Sequence, residues 1–295
     1  MSQKEFFVDL HIHTNCSDGV FTPSEAVAYA SKVGLSAISI TDHDTVDGVE
    51  EAIQAGQKYG VEVIPGIELS AELDNVSKTE MHILGYYVNH KSKSFNDALK
   101  IFKKSRQQRA NEIFSKLKSL GKELDPEGLI ENIGGKNIGR LHFAKALVEK
   151  KYVSCVSEAF QKYLGLDKPA YVPKHYISPK DAITLIIKAG GIPVLAHPYY
   201  GHYSNKNIFK GLINDGLMGI EAWHKSHPVN VVKKFLNIAE ELNLIVTGGS
   251  DCHGAYGNET PIMGKIKVPY SVVEALEEKK KQLDDNLQYT MYNVQ

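Results

Sequence analysis

The sequence predicts an α/β protein: a distorted (β/α)7 barrel carrying a helical insertion domain. Three observations predict it. Short apolar runs alternate with helix-patterned segments through most of the 295 residues, and such alternation builds a parallel sheet joined by right-handed crossovers. About seven strand-like runs in a chain of this length suit closure into a barrel better than an open sheet. The alternation is interrupted once, over residues 92–172, where only helical patterns occur. Residues 1–91 and 173–295 are therefore assigned to the barrel, which carries the site, and 92–172 to an inserted helical domain that contributes to substrate binding.

The elements follow in order. Phe6–His13 reads as a strand, and Thr22-Pro23-Ser24-Glu25 then supplies an N-cap, a proline at the first helical position and a capping-box glutamate. The helix over Ser24–Val33 stops at Gly34, and Ser36–Thr41 is a second strand. A helix near Val49–Tyr59 stops at Gly60, before third and fourth strands at Val61–Leu69 and Met81–Val88. The insertion carries helical patterns at Phe95–Leu120, Pro126–Ile133, Leu141–Lys150 and Val156–Leu164. Ser178-Pro179-Lys180-Asp181 starts the next helix, which ends at Gly190-Gly191. Strand Ile192–Ala196, helix Ile208–Asn214, strand Gly219–Trp223, helix Val229–Leu242 and strand Leu244–Thr247 complete the alternation.

Composition limits the partners. Apolar and charged fractions of 42% and 23% are those of a globular protein. The formal net charge of −1 gives no global field for nucleic acid or anionic membrane, so phosphate must be met by local patches. Three cysteines (Cys16, Cys155, Cys252) are too few for a disulfide framework and suit a reducing compartment. The first residues lack the apolar run of a signal peptide, and no stretch is long enough to span a bilayer. A cytoplasmic protein with no membrane attachment and no obligatory protein partner is expected.

The 12 histidines carry the functional signal. His11 and His13 are two apart on a strand, so their rings project from one face and can share a metal ion. An isolated pair of this kind is often just two strand histidines. Here, however, metal-competent side chains recur at strand ends: Asp18 after the first strand, Thr41-Asp42-His43 after the second, and Glu68 at the end of the third. His82 opens the fourth, His197-Pro198 ends the fifth, His224 ends the sixth, and Ser250-Asp251-Cys252-His253 ends the seventh. In parallel α/β proteins the carboxyl ends of strands are where ligands gather. Satisfied core histidines would not be distributed in this way, so a metal-cluster hydrolase is predicted.

These residues resemble the PHP (polymerase and histidinol phosphatase) family in four regions: Asp9-Leu10-His11-Ile12-His13 with Ser17-Asp18-Gly19, Thr41-Asp42-His43, Ala196-His197-Pro198, and Ser250-Asp251-Cys252-His253. The resemblance implies a distorted seven-stranded barrel and three divalent metal ions. His11, His13, Glu68 and Asp251 match the first site. Glu68, as a bridge, with His82 and His197 matches the second, and Asp18, His43 and His253 match the third. A bridging carboxylate would hold two dications about 3.5–4 Å apart, with a water between them deprotonated near neutral pH as the nucleophile. Mixed imidazole and carboxylate ligands suit Mn²⁺, Zn²⁺ or Fe²⁺. Cys252 is expected to face away from its two neighbours, and Asp9 and Asp42 are candidates to orient ligating histidines, with solvent-facing or capping roles as the alternative.

The substrate is argued from the insertion. Lys103 and Lys104 read as a solvated helix face, whereas Arg106 and Arg109 share a face and can grip phosphate. Gly139-Arg140-Leu141-His142 offers Arg140 and His142, and Tyr171-Val172-Pro173-Lys174-His175 offers Lys174 where the chain returns to the barrel. His224 is a general acid or a phosphate contact, with a structural histidine as the alternative. The catalytic set is thus His224, Asp18 and Asp251. Within the family, these motifs resemble the bacterial subgroup acting on nucleotides. That resemblance implies release of the 3′-phosphate from nucleoside 3′,5′-bisphosphates and 5′→3′ cleavage of short 5′-phosphorylated oligonucleotides. Histidinol-phosphate phosphatase is the enzymatic alternative, and a structural or nucleic-acid-binding PHP module the non-enzymatic one.

Overall fold

The computed structural model describes residues 5–73, 80–132, 138–174, 176–199, 206–255 and 260–292. Among the described residues eight strands form one sheet: β1 (Phe7–Ile12), β2 (Ala37–Ile40), β3 (Glu62–Glu72), β4 (Glu80–Tyr86), β5 (Ile192–Leu195), β6 (Gly219–His224), β7 (Ile245–Gly249) and β8 (Val268–Pro269). Their spatial order is β7-β6-β5-β4-β3-β2-β1-β8. The ring closes between β7 and β1 through the segment after β7, where His13 N donates to Cys252 O at 2.9 Å and Cys252 N to His11 O at 3.3 Å. Closure there needs a glycine: a Cβ on Gly249 would stand 2.4 Å from the backbone N and Cβ of His11. The barrel expected from the sequence is therefore present, nearly closed and irregular.

The alternation of elements led to a parallel sheet, and that is corrected in two places: at β4, and at β8, which pairs antiparallel with β1. β1, β2 and β3 are parallel, as are β5, β6 and β7, but β4 runs antiparallel to both β3 and β5. The connection between β3 and β4 has no room for a crossover helix, since parallel pairing needs a dozen or more residues and this link has seven, 73–79. The reversal brings the start of β4 to the end of the barrel where the other strands finish. His82 lies opposite Ser70, near the end of β3. The sequence reading assigned no element after Leu244–Thr247, so β8 and the helix that follows it were missed.

The helices are α1 (Pro23–Lys32), α2 (Val49–Tyr59), α3 (Lys93–Ser119), α4 (Pro126–Asn132), α5 (Arg140–Glu149), α6 (Val156–Ala159), α7 (Pro179–Lys188), α8 (Lys206–Asn214), α9 (Val229–Leu242) and α10 (Ser271–Tyr292). A π-helical turn, Phe160–Leu164, continues α6. The capping box is formed as read: Glu25 N donates to Thr22 Oγ1 at 3.1 Å, and Thr22 N to Glu25 Oε2 at 2.8 Å. Gly60 ends α2 with φ of 68°, a left-handed value that glycine adopts without Cβ strain. Ile133, expected to end the fourth helix, and His175 lie outside the described residues.

Apolar burial on the helices' inner faces holds the layers together. Ala26, Val27 and Ala52 of α1 and α2 join Ile12, Ile38 and Ile40 in one cluster. Ile183, Ile186 and Phe235 of α7 and α9 join Ile67, Ile83, Leu195 and Ile220 in another. α3 is shared: Phe95, Leu99 and Phe102 belong to that barrel cluster, whereas Ala110, Ile113 and Leu117 pack with Phe143, Leu147, Leu164 and Val172 in a separate core. The helices of residues 110–172 therefore have an apolar core of their own and are carried on the second half of α3. Among the described residues no helix is long and apolar enough to cross a membrane.

Candidate metal centre

The structure brings together all nine side chains proposed as ligands. His11 and His13 reach from β1 and the residue after it, and their Nε2 atoms lie 3.1 Å apart. Glu68 Oε2 from β3 is 3.4 Å from His11 Nε2 and 3.2 Å from His13 Nε2. Asp251 Oδ1, after β7, is 3.8 and 3.2 Å from the same two atoms. The other oxygen, Glu68 Oε1, faces a second group: His82 Nδ1 at 2.8 Å and His197 Nε2 at 2.9 Å, themselves 3.3 Å apart. A third group lies beside them, with Asp18 Oδ1 3.3 Å from His253 Nε2 and Asp18 Oδ2 3.8 Å from His43 Nε2. His13 joins this group as well, Nδ1 at 3.7 Å from Asp18, and His43 Nδ1 approaches Glu68 Oε2 at 3.0 Å. The sequence reading kept His13 and His43 each to a single group; the geometry makes the groups overlap.

The donor chemistry fits divalent cations. Ligand atoms bonded at about 2.1 Å in a tetrahedron are about 3.4 Å from one another, the spacing seen here. Glu68 Oε2, His13 Nδ1 and His43 Nδ1 are buried without a hydrogen bond of acceptable geometry, a costly state unless another group meets them. The far sides of the rings are already used. His11 Nδ1 contacts Glu221 Oε1 at 3.0 Å, His82 Nε2 contacts Glu80 Oε1 at 3.0 Å, and His253 Nδ1 contacts Asp251 O at 3.1 Å. Each of these partners only accepts, so the ring proton belongs on the outer nitrogen. Once the ring is neutral, the inner nitrogen presents its lone pair to the centre.

Charge at the centre is held by mutual attraction. Burial opposes ionisation of Glu68, Asp18 and Asp251, yet the surrounding imidazoles keep all three carboxyls well below the usual range. Burial also favours a neutral His13, but the Asp251 and Glu68 carboxylates outweigh it and hold its pKa up to about 10. His82 is raised to about 9, burial again being overcome by Glu68 and then Glu80. In His43 burial wins, with a value of about 4.

The remaining candidates are placed as follows. His224 is closed to solvent; its Nδ1 accepts from Ser226 N at 3.1 Å and its Nε2 faces Asp251 Oδ2 at 3.4 Å. Arg106 donates to the Asp44 carboxylate and to His43 O, and Lys174 donates to Ser70 Oγ while lying 3.8 Å from carboxylate oxygens of Asp44 and Glu80. Arg109 donates through Nε to Val172 O at 2.9 Å, and burial with Arg140 nearby lowers its pKa to about 10. Arg140 sits 5.8 and 5.6 Å from the ring centres of Phe160 and Tyr171, cation–π geometry. His142 Nδ1 accepts from Gly139 N at 2.9 Å, and burial lowers its pKa.

Two sequence expectations change. Asp42 orients no ligand ring: it accepts from Thr14 N, Thr14 Oγ1 and Ser17 Oγ at 2.7, 2.6 and 2.5 Å and so pins the loop that carries Asp18. Asp9 likewise accepts from Ser250 N at 2.8 Å and touches His11 only through its backbone N. Cys252 is buried among Ile12 and Ile38, turned away as expected. Four residues of the site were missed. Glu221, a carboxylate inside an otherwise apolar strand, was a readable signal; Asp44, Glu80 and Lys225 offered none.

Comparison with known proteins agrees with this geometry. The PHP domain family matches residues 9–169. The chain is 32% identical over 252 residues, 83% of its length and 87% of the other's, to a 3′,5′-nucleoside bisphosphate phosphatase of Chromobacterium violaceum. It is 32% identical over 251 residues, 83% and 89% of the two lengths, to a 5′-3′ exoribonuclease of Haemophilus influenzae. A Bifidobacterium adolescentis structure assigned as a metal-dependent phosphoesterase superposes with a TM-score of 0.80 at 28% identity, covering 91% of this chain and 94% of that one. The chain belongs to the PHP domain family and is a metal-dependent phosphoesterase.

Proposed function

We propose that the chain hydrolyses nucleotide phosphoesters, removing the 3′-phosphate of nucleoside 3′,5′-bisphosphates and cleaving short 5′-phosphorylated oligonucleotides from the 5′ end. The observation that carries the hydrolytic centre is the division of Glu68: one oxygen faces His11 and His13, the other His82 and His197. Three divalent ions of the Mn²⁺, Zn²⁺ or Fe²⁺ type would occupy the three overlapping groups. Glu68 would be shared by the first two, Asp251 would complete the first, and Asp18 with His43 and His253 would hold the third. When bound, the ions supply Lewis acidity, lowering the pKa of a water and neutralising charge that grows on phosphoryl oxygens.

The chain's own residues do the rest. The outer carboxylates Glu221 and Glu80 keep His11 and His82 in the ligating tautomer. His224 is assigned here as a holder of Asp251, because its ring is closed to solvent and its Nε2 meets that carboxylate. The helices of residues 92–172 act as the substrate-binding domain, with Arg109, Arg140 and His142 as the 5′-phosphate pocket and Arg106 and Lys174 on its barrel side. Cation–π contact with Phe160 and Tyr171 restrains the Arg140 guanidinium, which can grip a phosphate bidentately. The names of the two relatives support the nucleotide as substrate.

The test is a parallel assay of the metal-loaded protein on a 3′,5′-bisphosphate, a 5′-phosphorylated oligonucleotide, histidinol phosphate and an aryl phosphate. A lost charge-assisted bond of about 2–3 kcal/mol corresponds to roughly 30–150-fold in kcat/KM. Arg140→Ala should show that loss on the 5′-phosphorylated substrates and little on the aryl phosphate. Equal losses on both, or preference for histidinol phosphate, would refute the assignment.

A further inference from the structure

Lys225 stands in the loop between β6 and α9, directly after His224. Its ammonium makes two contacts to one residue: Nζ donates to Asp251 O at 2.7 Å and lies 2.8 Å from Asp251 Oδ2. Asp251 is an unusual residue to be held in this way. Its φ of 51° is in the left-handed region, which a non-glycine side chain rarely enters without external support. The two carboxylate oxygens also have different surroundings. Oδ1 faces the ligand group, 3.2 Å from His13 Nε2, whereas Oδ2 faces Lys225 and, at 3.4 Å, His224 Nε2.

A carboxylate can rotate about its Cβ–Cγ bond, and nothing in aspartate itself selects which oxygen, at which angle, meets a cation. The lysine does select. An ammonium that binds the carbonyl and Oδ2 of the same residue keeps both on one side, so Oδ1 is left to point inward. We propose that Lys225 is the positioning residue for Asp251: it supports the left-handed backbone, engages Oδ2, and thereby presents Oδ1 to the metal. The inference rests on the reading of Asp251 as a ligand. The side chain is 29% exposed, so it can be replaced without opening a buried cavity.

Outer partners of ligating groups are worth about 10–100-fold in metal affinity. The experiment titrates the metal-free full chain with Mn²⁺, following bound metal by calorimetry and by metal content after desalting. Wild type, Lys225→Met, Lys225→Arg and Asp251→Asn are compared, with thermal melting of each metal-free form as a folding control. The expected result is a 10–100-fold weaker step in Lys225→Met, partial recovery in Lys225→Arg, and loss of that same step in Asp251→Asn. If Asp251→Asn binds as wild type does, the ligand reading of Asp251 fails. If Asp251→Asn loses the step while Lys225→Met keeps it, the positioning role alone fails. Unchanged metal binding in Lys225→Met with a raised KM would make the lysine a substrate contact and overturn the proposal.

Discussion

Asp44 is the residue whose replacement tests the architecture of the site most directly. Its side chain is almost fully buried and serves two basic groups, the guanidinium of Arg106 on α3 and the ammonium of Lys174 on the segment that returns from the insertion. It also accepts from Ser70 N at 2.7 Å and Ser70 Oγ at 3.0 Å. Burial opposes its ionisation, but Arg106 and then Lys174 outweigh that and hold its carboxyl well below the ordinary range. Asp44→Asn keeps the shape and an acceptor for Ser70 while removing the charge, leaving two mostly buried cations with their shared anion gone. Breaking a buried pair by removing one partner costs about 3–5 kcal/mol. With about 2.1 cal/mol/K of unfolding entropy per residue over 295 residues, the entropy is about 0.6 kcal/mol/K. A loss of about 4 kcal/mol then lowers Tm by about 6–7 °C.

Calorimetric melting in chelator isolates this effect from metal binding. The partner substitution should behave differently. Arg106 Nε is buried without a hydrogen bond, so Arg106→Met removes an existing penalty together with the pair, and Asp44 keeps Lys174 and Ser70. Its cost should be less than half that of Asp44→Asn. The pH dependence has a definite sign: a depressed folded-state pKa gives stability that is present above the unfolded value of about 3.9 and lost as pH falls through the folded value. The gap between wild type and Asp44→Asn should therefore be constant near neutrality and narrow only below about pH 4. A shift in Tm under 2 °C, or a larger loss in Arg106→Met, would refute the hub.

Three further outcomes follow from the same geometry. Gly249→Ala forces a Cβ against the backbone of His11, which should cost about 1–3 kcal/mol and weaken metal uptake; an unaltered melt would show that β1 and β7 are not in close contact. Glu221→Gln leaves His11 Nδ1 and His197 N with a neutral partner, and Mn²⁺ affinity should fall about 10–100-fold; calorimetric titration would detect its absence. Metal loading near pH 7 should release protons, seen as a binding enthalpy that varies with the ionisation enthalpy of the buffer; no such variation would contradict the raised pKa values of His13 and His82.

Much of the metal centre was legible because the chemistry is carried by residue type at strand ends. His11-x-His13 declares its common face through the two-residue period of a strand, and Thr41-Asp42-His43 and Ser250-Asp251-Cys252-His253 follow apolar runs. The direction of β4 was not legible, because strand patterns are the same read either way and only the shortness of the link at 73–79 decides it. The partners of the basic residues were less legible still. Arg106 and Arg109 look alike in sequence, three apart on one helix, yet one meets a buried carboxylate and the other a backbone carbonyl. That difference depends on where Asp44, 62 residues earlier, is delivered by the fold.

Charge accounts for why a centre of this kind surrounds its ligands with a second set of ionised groups. Asp18, Glu68 and Asp251 among the ligands, with Asp44, Glu80 and Glu221 behind them, are six carboxylates, all with lowered pKa. Arg106, Lys174 and Lys225 offset three of these charges through direct contacts. The other three are met by His11, His13 and His82, whose pKa values are raised by those carboxylates against the pull of burial, while His43 and His197 are pushed down toward the neutral form. Each carboxylate of the centre thus has a cationic partner, which is what a buried cluster requires. Ligation by these imidazoles would require their protons to leave, and bound dications would bring more charge than those protons carried. The loaded centre would then be more positive than the metal-free one, and a phosphate dianion is the natural group to balance it.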